Sequence, residues 1–307
     1  MALSPLEIDA GFAQLRAERA LLKRLHEVRD PDFWRALNPE LTVSEFPLAP
    51  RRPRPLATPE MAEHCREQVI ADGYLATPPI IPADELARLA TGIKRVVEAG
   101  FPSALAAVYD EYYNLFSGLE TVFAPLLGDD YLFLTQGVWA FYVEPGDDIR
   151  TLWTAAAPHR DRMAPDARTM AHDVPSILTL WIPLEDVTPD QSCVYVVPAP
   201  YDEGFYTGAR DVRPENFRLQ DIRCLPAKAG SVLGWSSHLI HWGSRASRFA
   251  ERPRMSVTMY FQRRDVPLWH PFLIDPAQPS SFLDRLMWID HSMVRPGLLS
   301  GQRPEGV

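Results

Sequence analysis

Residues 131–145 read YLFLTQGVWAFYVEP, and along this stretch the pattern of the chain changes from helical to extended. Apolar and aromatic runs bounded by Gly, Pro and Asp are typical of β-strands, and YLFLTQG and VWAFYVEP predict two of them here. Such runs recur downstream, and we predict further strands at 177–183, 193–198, 231–235, 238–243 and 254–262. Strands that follow a group of helices favour an antiparallel sheet flanked by helices over alternating strand–helix units. The predicted fold class is mainly β with flanking helices (α+β), and a double-stranded β-helix, the cupin-like jelly roll, fits it.

Apolar residues spaced three or four apart predict helices at 4–28, 59–71, 82–98, 103–126 and 281–294. The proline-rich stretch 47–55, PLAPRRPRP, can form neither a helix interior nor a central strand. We therefore expect an N-terminal helical extension with this connector (1–55), a jelly-roll domain with flanking helices (56–265) and a C-terminal extension with one helix packed on the same domain (266–307). The N-terminal helix is either an appendage packed on the core or part of a homodimer contact through the terminal helices.

Composition excludes several classes of function. The net charge of −9 counts against nucleic-acid binding, which needs Lys and Arg to neutralise phosphates. No apolar stretch approaches the roughly 20 residues of a membrane span, and the N-terminus lacks the pattern of a signal peptide. The three cysteines, Cys65, Cys193 and Cys224, are dispersed without CxxC spacing, which favours neither a disulfide framework nor a zinc site. We expect a cytoplasmic protein without a nucleic-acid or membrane partner.

A candidate metal site begins at His159-Arg160-Asp161. In a strand, residues i and i+2 project from one face, so His159 and Asp161 can bind one metal while Arg160 points away. A distant histidine would complete a 2-His-1-carboxylate triad, which leaves positions open and is typical of non-haem Fe(II) oxygenases. Either His238 or His241 could supply that ligand. They are three residues apart, so on a regular strand only one of them faces the metal.

Three longer segments carry a family resemblance. They are Val69 to Gly100, which contains a D-G-Y turn; Ile177 to Gly204, ILTLWIPLEDVTPDQSCVYVVPAPYDEG; and Ala229 to Ser244, AGSVLGWSSHLIHWGS. In this order they resemble the phytanoyl-CoA dioxygenase family of 2-oxoglutarate oxygenases, over roughly residues 60 to 265. The resemblance implies a jelly-roll enzyme that binds Fe(II) and 2-oxoglutarate and uses O2 as co-substrate. It also selects His241 as the distal ligand, because Trp-Gly-Ser follows it, and leaves His238 outward-facing or behind the ligands.

The resemblance further implies that Arg254 and Ser256, an R-x-S pair, anchor the distal carboxylate of 2-oxoglutarate. A guanidinium presents a planar fork that suits a carboxylate. Arg252 competes for this role, but Pro253 cannot donate to a sheet and so favours a strand that begins at Arg254.

Two residues of the predicted strand 177–183, Thr179 and Trp181, share one face and are candidates for lining the cofactor pocket, although aromatic residues in such places more often belong to the core. The arginines of the metal motif and after it are either contacts for an anionic substrate or, as we favour, part of a solvated loop; they are Arg160, Arg162 and Arg168. Loops 144–158 and 199–224 are expected to border the substrate entrance.

The predicted function is therefore that of an Fe(II)- and 2-oxoglutarate-dependent dioxygenase that oxidises a small-molecule or natural-product substrate and releases succinate and CO2. Asp161 occupies the position that a halide would need on the metal, so hydroxylation or a related oxidation is favoured over halogenation. The alternative is a catalytically silent jelly-roll protein that binds a metal or ligand. That alternative predicts damage to the triad or to the R-x-S pair, and both are intact.

Overall fold

The computed structural model describes residues 19–45, 55–128, 130–146, 158–161, 170–171, 174–206, 212, 217–266, 273–275 and 280–292. Most of the predicted helix 4–28, most of the connector 47–55, and parts of loops 144–158 and 199–224 lie outside these residues, as do Arg162 and Arg168. The expected domain boundaries, the homodimer contact and the cytoplasmic location stay predictions. Within the described residues, no helix combines the length and the apolar character needed to cross a bilayer.

The described helices lie mostly before the sheet. They are α1 (Leu25–Val28), α2 (Pro31–Leu37), α3 (Pro59–Asp72), α4 (Ala83–Glu98), α5 (Asp110–Ser117), α6 (Glu120–Leu127) and, near the C-terminus, α7 (Phe282–Ser292). Helices α3, α4 and α7 confirm the predicted segments. Helix α3 begins where the Thr58 hydroxyl accepts a hydrogen bond from the Met61 N–H, and it ends at Gly73, whose φ of 82° suits only a residue without a Cβ.

The segment 103–126 is largely helical, as predicted, but it consists of three separate pieces. A 3₁₀ turn (Ser103–Val108), α5 and α6 share this stretch. Tyr109 has an extended backbone (φ −82°, ψ 142°) and separates the 3₁₀ turn from α5, while Gly118 ends α5. Apolar spacing continues across these breaks because all three pieces pack on the same core, so the pattern alone does not reveal them.

The described strands form two main antiparallel sheets. The strands are β1 (Tyr74–Ala76), β2 (Tyr131–Val143), β3 (Met170–Ala171), β4 (Val174–Pro175), β5 (Ile177–Pro183), β6 (Val194–Val197), β7 (Arg223–Leu225), β8 (Leu233–Ser236), β9 (Ile240–Gly243), β10 (Arg254–Arg263) and β11 (Leu273–Ile274). The larger sheet has the order β1-β8-β5-β10-β2-β11 and the smaller one the order β7-β6-β9, while β3 and β4 pair separately. All five predicted downstream strands are present. The family resemblance also implies a strand after the D-G-Y turn, and β1 lies there. The short strands β3, β4, β7 and β11 were not predicted.

The stretch 131–145, expected as two strands, is one long strand. Its pairing with β10 shifts register between Thr258 and Tyr260, which accommodates extra residues of β2 around Gly137. A Cβ on Gly137 would come within 2.4 Å of the Tyr260 backbone nitrogen, so only glycine allows this close approach. The strand therefore remains in the sheet through the irregularity.

Each face of the larger sheet packs on a different layer. Alternate residues of β10, from Met255 to Phe261, join a core shared with helices α3 to α7. On the opposite face, Trp181 of β5 and Trp235 of β8 join a second core with Val194 and Val196 of the smaller sheet. The two sheets thus pack face to face, with helices covering the back of the larger one. This is the jelly-roll arrangement with flanking helices that the sequence predicts.

Candidate metal centre

The two histidines of the predicted triad lie side by side at the edge of the smaller sheet. The backbone N–H of His159 donates to the carbonyl of His241 at 3.1 Å, and the N–H of His241 donates back at 2.9 Å. This bridge attaches His159 to strand β9, and the two imidazole ring centroids are 4.4 Å apart.

Asp161 completes the group. Its Oδ1 lies 3.5 Å from Nε2 of His241 and 3.8 Å from Nε2 of His159. One ligand atom from each residue falls within 4.8 Å of the others, and among the described residues no second group of His, Cys, Asp or Glu meets this condition. The side chains of Asp161 and His241 are only 2% and 7% exposed, whereas that of His159 is 29% exposed. Among the described residues, solvent therefore reaches the triad on the His159 side.

Three donors from three strands of the larger sheet hold the Asp161 carboxylate. The Thr179 hydroxyl donates to Oδ2 at 2.6 Å, the Trp235 indole N–H donates to Oδ2 at 3.0 Å, and the Tyr260 hydroxyl donates to Oδ1 at 2.9 Å. Oδ2 is thus occupied by two donors, while Oδ1, which receives one, faces both histidines. A carboxylate held in this way suits binding of a cation through one oxygen.

The charge state of Asp161 agrees with that role. Burial alone would raise the pKa of its carboxyl group. The imidazoles of His241 and His159, together with the Thr179 hydroxyl, outweigh burial and hold this pKa well below its usual range. The carboxylate is therefore ionised at neutral pH.

The geometry separates the two candidate distal histidines. Nδ1 of His241 donates to the Leu239 carbonyl at 3.0 Å, which leaves Nε2 free to face Asp161. His238 lies in the turn before β9, and its Nδ1 donates to the Phe205 carbonyl at 2.9 Å. It is 2% exposed, so it lies behind the triad and does not face outward.

Arg254 and Ser256 lie on the same face of β10 as Tyr260, as their even spacing requires. Both are buried, and among the described residues Arg254 Nε and Ser256 Oγ have no hydrogen-bond partner. The guanidinium lies near two aromatic rings, 5.5 Å from the Phe141 centroid and 5.9 Å from the Trp181 centroid. Burial lowers the pKa of Arg254 to about 10. A buried cation with an unsatisfied donor is suited to binding an anion.

Arg252, the competitor for this role, is 48% exposed on its side chain and lies near Glu185 and Asp186. Of the two arginines, only Arg254 is enclosed among the residues of the pocket.

Thr179 and Trp181 do share one strand face, but they differ in surroundings. Thr179 contacts Asp161, whereas Trp181 packs in the core between the sheets and flanks Arg254.

The expectation of a solvated Arg160 is wrong. Its side chain is 1% exposed and forms a two-bond ion pair with Asp202, with N–O distances of 2.6 and 2.9 Å. The pattern of the HRD stretch cannot show this, because Asp202 lies on a distant turn that only the fold brings close.

Two further residues of the site, Trp235 and Tyr260, are absent from the sequence-based set. A signal for Tyr260 does exist in RMSVTMYFQR, residues 254–263, where polar residues alternate with apolar ones. The polar row, which continues from Arg254 and Ser256 to Tyr260, faces the smaller sheet, and the apolar row faces the helices. Trp235 has no such signal, because tryptophan in a strand is most often a core residue.

The fold and this site match what the resemblance implies for an oxygenase-type enzyme dependent on Fe(II) and 2-oxoglutarate. The model of the family described as phytanoyl-CoA dioxygenase (PhyH) matches residues 119–252, which confirms the family resemblance over that stretch. The matched stretch is less than half of the chain. It contains His159, Asp161 and His241 but ends before Arg254 and Ser256. No curated protein matches the chain in sequence.

Several solved structures are similar. HygX from Streptomyces hygroscopicus, with nickel and 2-oxoglutarate bound, is 16% identical with a TM-score of 0.49, and the alignment covers 67% of this chain and 89% of that one. The non-haem α-ketoglutarate-dependent carbocyclase SnoK from nogalamycin biosynthesis is 15% identical with a TM-score of 0.48, covering 68% and 88%.

Proposed function

We propose that His159, Asp161 and His241 hold Fe(II), and that Arg254 and Ser256 anchor the distal carboxylate of 2-oxoglutarate. The observation that carries the proposal is the convergence of three ligand atoms within 4.8 Å between the two sheets. Two imidazoles and one carboxylate are the donor set that leaves positions open on non-haem iron. The intact triad and the buried R-x-S pair support an active enzyme over a silent binding protein.

The residues around the triad have separable tasks. Thr179 and Trp235 hold Oδ2 of Asp161 and so favour binding of the metal through Oδ1 alone, which keeps coordination positions available for 2-oxoglutarate and O2. The Leu239 carbonyl fixes the tautomer of His241. When bound, the iron would supply the oxidising chemistry that couples decarboxylation of 2-oxoglutarate to oxidation of the substrate.

The R-x-S pair contributes charge and shape. Arg254 offers an unpaired Nε and Ser256 a hydroxyl on the same strand face, so together they can donate to one carboxylate. The flanking rings of Phe141 and Trp181 limit the orientations of the guanidinium. A carboxylate here would return to Arg254 the electrostatic stabilisation that burial removes. The proposed substrate is a small molecule, and the proposed reaction is hydroxylation or a related oxidation.

Anaerobic titration with Fe(II) and then 2-oxoglutarate tests the assignment, because the chelate gives a weak visible charge-transfer band. We expect the band in the wild-type protein and in His238→Gln, and its loss in His241→Ala. Release of succinate after admission of O2 then separates an enzyme from a silent binding protein. A band that survives in His241→Ala but disappears in His238→Gln would transfer the ligand role to His238. A wild-type protein that binds both compounds yet never forms succinate, even with broad panels of small molecules, would favour the silent alternative.

A further inference from the structure

The residue between the two first candidate ligands is part of a buried ion pair. Arg160 and Asp202 have side chains 1% and 3% exposed, and two N–O contacts join them. Removing both charges from water costs several kcal/mol per ion, so such a pair contributes little net stability compared with apolar residues of similar size. The burial of this pair therefore indicates a role other than stability.

The pair connects three separate segments of the chain. Arg160 also donates to the carbonyl of His238, in the turn between β8 and β9. Asp202 accepts from the backbone N–H of Gly204 at 3.0 Å, which shapes the turn that contains Phe205. The Phe205 carbonyl in turn accepts from Nδ1 of His238 at 2.9 Å. These hydrogen bonds close a ring from the metal motif through the 202–205 turn and back to the β8–β9 turn.

Both sides of the triad depend on the segments in that ring. Arg160 lies between His159 and Asp161, so its guanidinium fixes the backbone that presents them. The β8–β9 turn includes Leu239, whose carbonyl orients His241. Displacement of either segment would change the distances among the three ligand atoms.

We infer that Arg160 and Asp202 are positioning residues that hold the triad in its metal-binding geometry before the metal arrives. This inference rests on the proposed function and deepens it. Groups behind metal ligands typically contribute 10- to 100-fold to metal affinity. The ion pair thus acts through the ligands without touching the metal.

A double variant, Arg160→Met with Asp202→Leu, separates positioning from stability. Replacing a buried pair by apolar residues is often neutral for stability. We expect a melting temperature close to that of the wild type, together with a Co(II) dissociation constant raised by at least about 10-fold and an altered Co(II) ligand-field spectrum. The matched control is Arg285→Met with Asp110→Leu, which removes another buried ion pair, 0% and 3% exposed, on the helical side of the larger sheet. That control should leave Co(II) binding unchanged.

Wild-type affinity and an unchanged spectrum in the Arg160/Asp202 double variant would overturn the inference and make the pair purely structural. If the double variant does not fold, Asp202→Asn, which keeps the shape of the side chain, replaces it and is judged by the same two readouts at a temperature where circular dichroism shows it folded. Failure of the wild-type protein to bind Co(II) would instead refute the proposed metal site, so the two failures are distinguishable.

Discussion

Arg254 is the residue whose burial is hardest to explain without a ligand. It is 3% exposed, and its Nε lacks a hydrogen-bond partner among the described residues. Its Nη1 donates to the Ser192 carbonyl at 3.0 Å. Ser192 itself has φ of 62°, a conformation that few residues with a Cβ adopt. The strained backbone of Ser192 thus places a carbonyl that orients a buried guanidinium. Backbone strain of this kind is typical of binding sites.

Arg254→Ala should weaken 2-oxoglutarate binding much more than metal binding. Loss of a charge-assisted contact of this type costs about 2–4 kcal/mol, hence a roughly 30- to 1,000-fold increase in the KM for 2-oxoglutarate. Steady-state kinetics with varied 2-oxoglutarate measures this, beside a Co(II) titration. Arg252→Ala, which removes the more exposed neighbouring arginine, is the matched control and should leave the KM within about 2-fold of the wild type. The reverse ranking would move the anchor to Arg252.

At the residue scale, the sequence predicts site residues that a local pattern marks. It does not predict contacts between residues that are distant along the chain. His159, Asp161 and Thr179 are recognisable because motif spacing and strand alternation indicate their neighbours, whereas the family resemblance selects His241 over His238. The ion pair of Arg160 depends on a residue in a distant turn, and no local pattern distinguishes it from a solvated arginine.

Strand β2 illustrates the element scale, because a single glycine determines how β10 presents Tyr260. Gly137→Ala would place a methyl group within 3 Å of three atoms of Tyr260, two of them in its side chain. We expect a loss of about 1–3 kcal/mol in the free energy of unfolding, as is usual for overpacking, and weaker Co(II) binding because Tyr260 donates to Asp161. Urea unfolding and Co(II) titration measure the two effects.

Gly118→Ala serves as the control, because its nearest contact is the end of the flexible Leu56 side chain at 3.1 Å. It should change metal binding little. Equal Co(II) affinity in Gly137→Ala and the wild type would show that β2 does not govern the position of Tyr260.

His238, in the β8–β9 turn, should make the free energy of unfolding depend on pH. Burial is the main cause that lowers the pKa of His238, and the Arg160 guanidinium lowers it further. The Phe205 carbonyl and Asp202 raise this pKa but do not outweigh burial. The unfolded chain, with a histidine pKa of about 6.5, then binds a proton more readily than the folded one. Stability from this group is therefore fully present above about pH 6.5 and is lost as the pH falls towards the lowered folded value.

Between pH 7.5 and 5.5 we expect His238 to account for a loss of up to about 1.4 kcal/mol in the free energy of unfolding. Urea unfolding of the metal-free wild type and His238→Gln at both pH values measures the difference. His64→Gln, at a histidine whose side chain is 65% exposed, should retain the wild-type dependence. Identical pH dependence in the wild type and His238→Gln would contradict the prediction.

Element boundaries were predicted well where caps mark them and poorly where packing overrides the pattern. Pro59 and Gly73 bound α3 as expected, because proline and glycine have intrinsic backbone preferences. The breaks at Tyr109 and Gly118 went unpredicted, since the apolar spacing on either side continues into one core.

At the scale of the whole molecule, the two faces of the larger sheet have different roles: one contributes mainly to stability, and the other contains the candidate site. The face towards the helices is an extensive apolar core, whereas the face towards the smaller sheet combines a second core with the triad and the polar row of β10. This division was only partly predictable. The alternation in β10 indicates two different faces, but which face would meet the smaller sheet depends on the topology.

The proposed ligands bind between the two sheets, so their binding should stabilise the whole fold. The metal should bind first, and 2-oxoglutarate should bind only when the metal is present. A ligand at 100 times its dissociation constant adds about 2.7 kcal/mol, which corresponds to roughly 5 °C in melting temperature for a domain of this size. In anaerobic thermal melts we expect one upward shift with Co(II) and a second with 2-oxoglutarate only when the metal is present. Arg254→Ala should keep the first shift and lose most of the second, and His241→Ala should lose both. Glutarate, which has both carboxylates but no 2-oxo group, should give a much smaller second shift than 2-oxoglutarate. A 2-oxoglutarate shift of full size in His241→Ala would mean that the oxo acid binds independently of the triad, and the assignment of the two sites to one centre would be wrong.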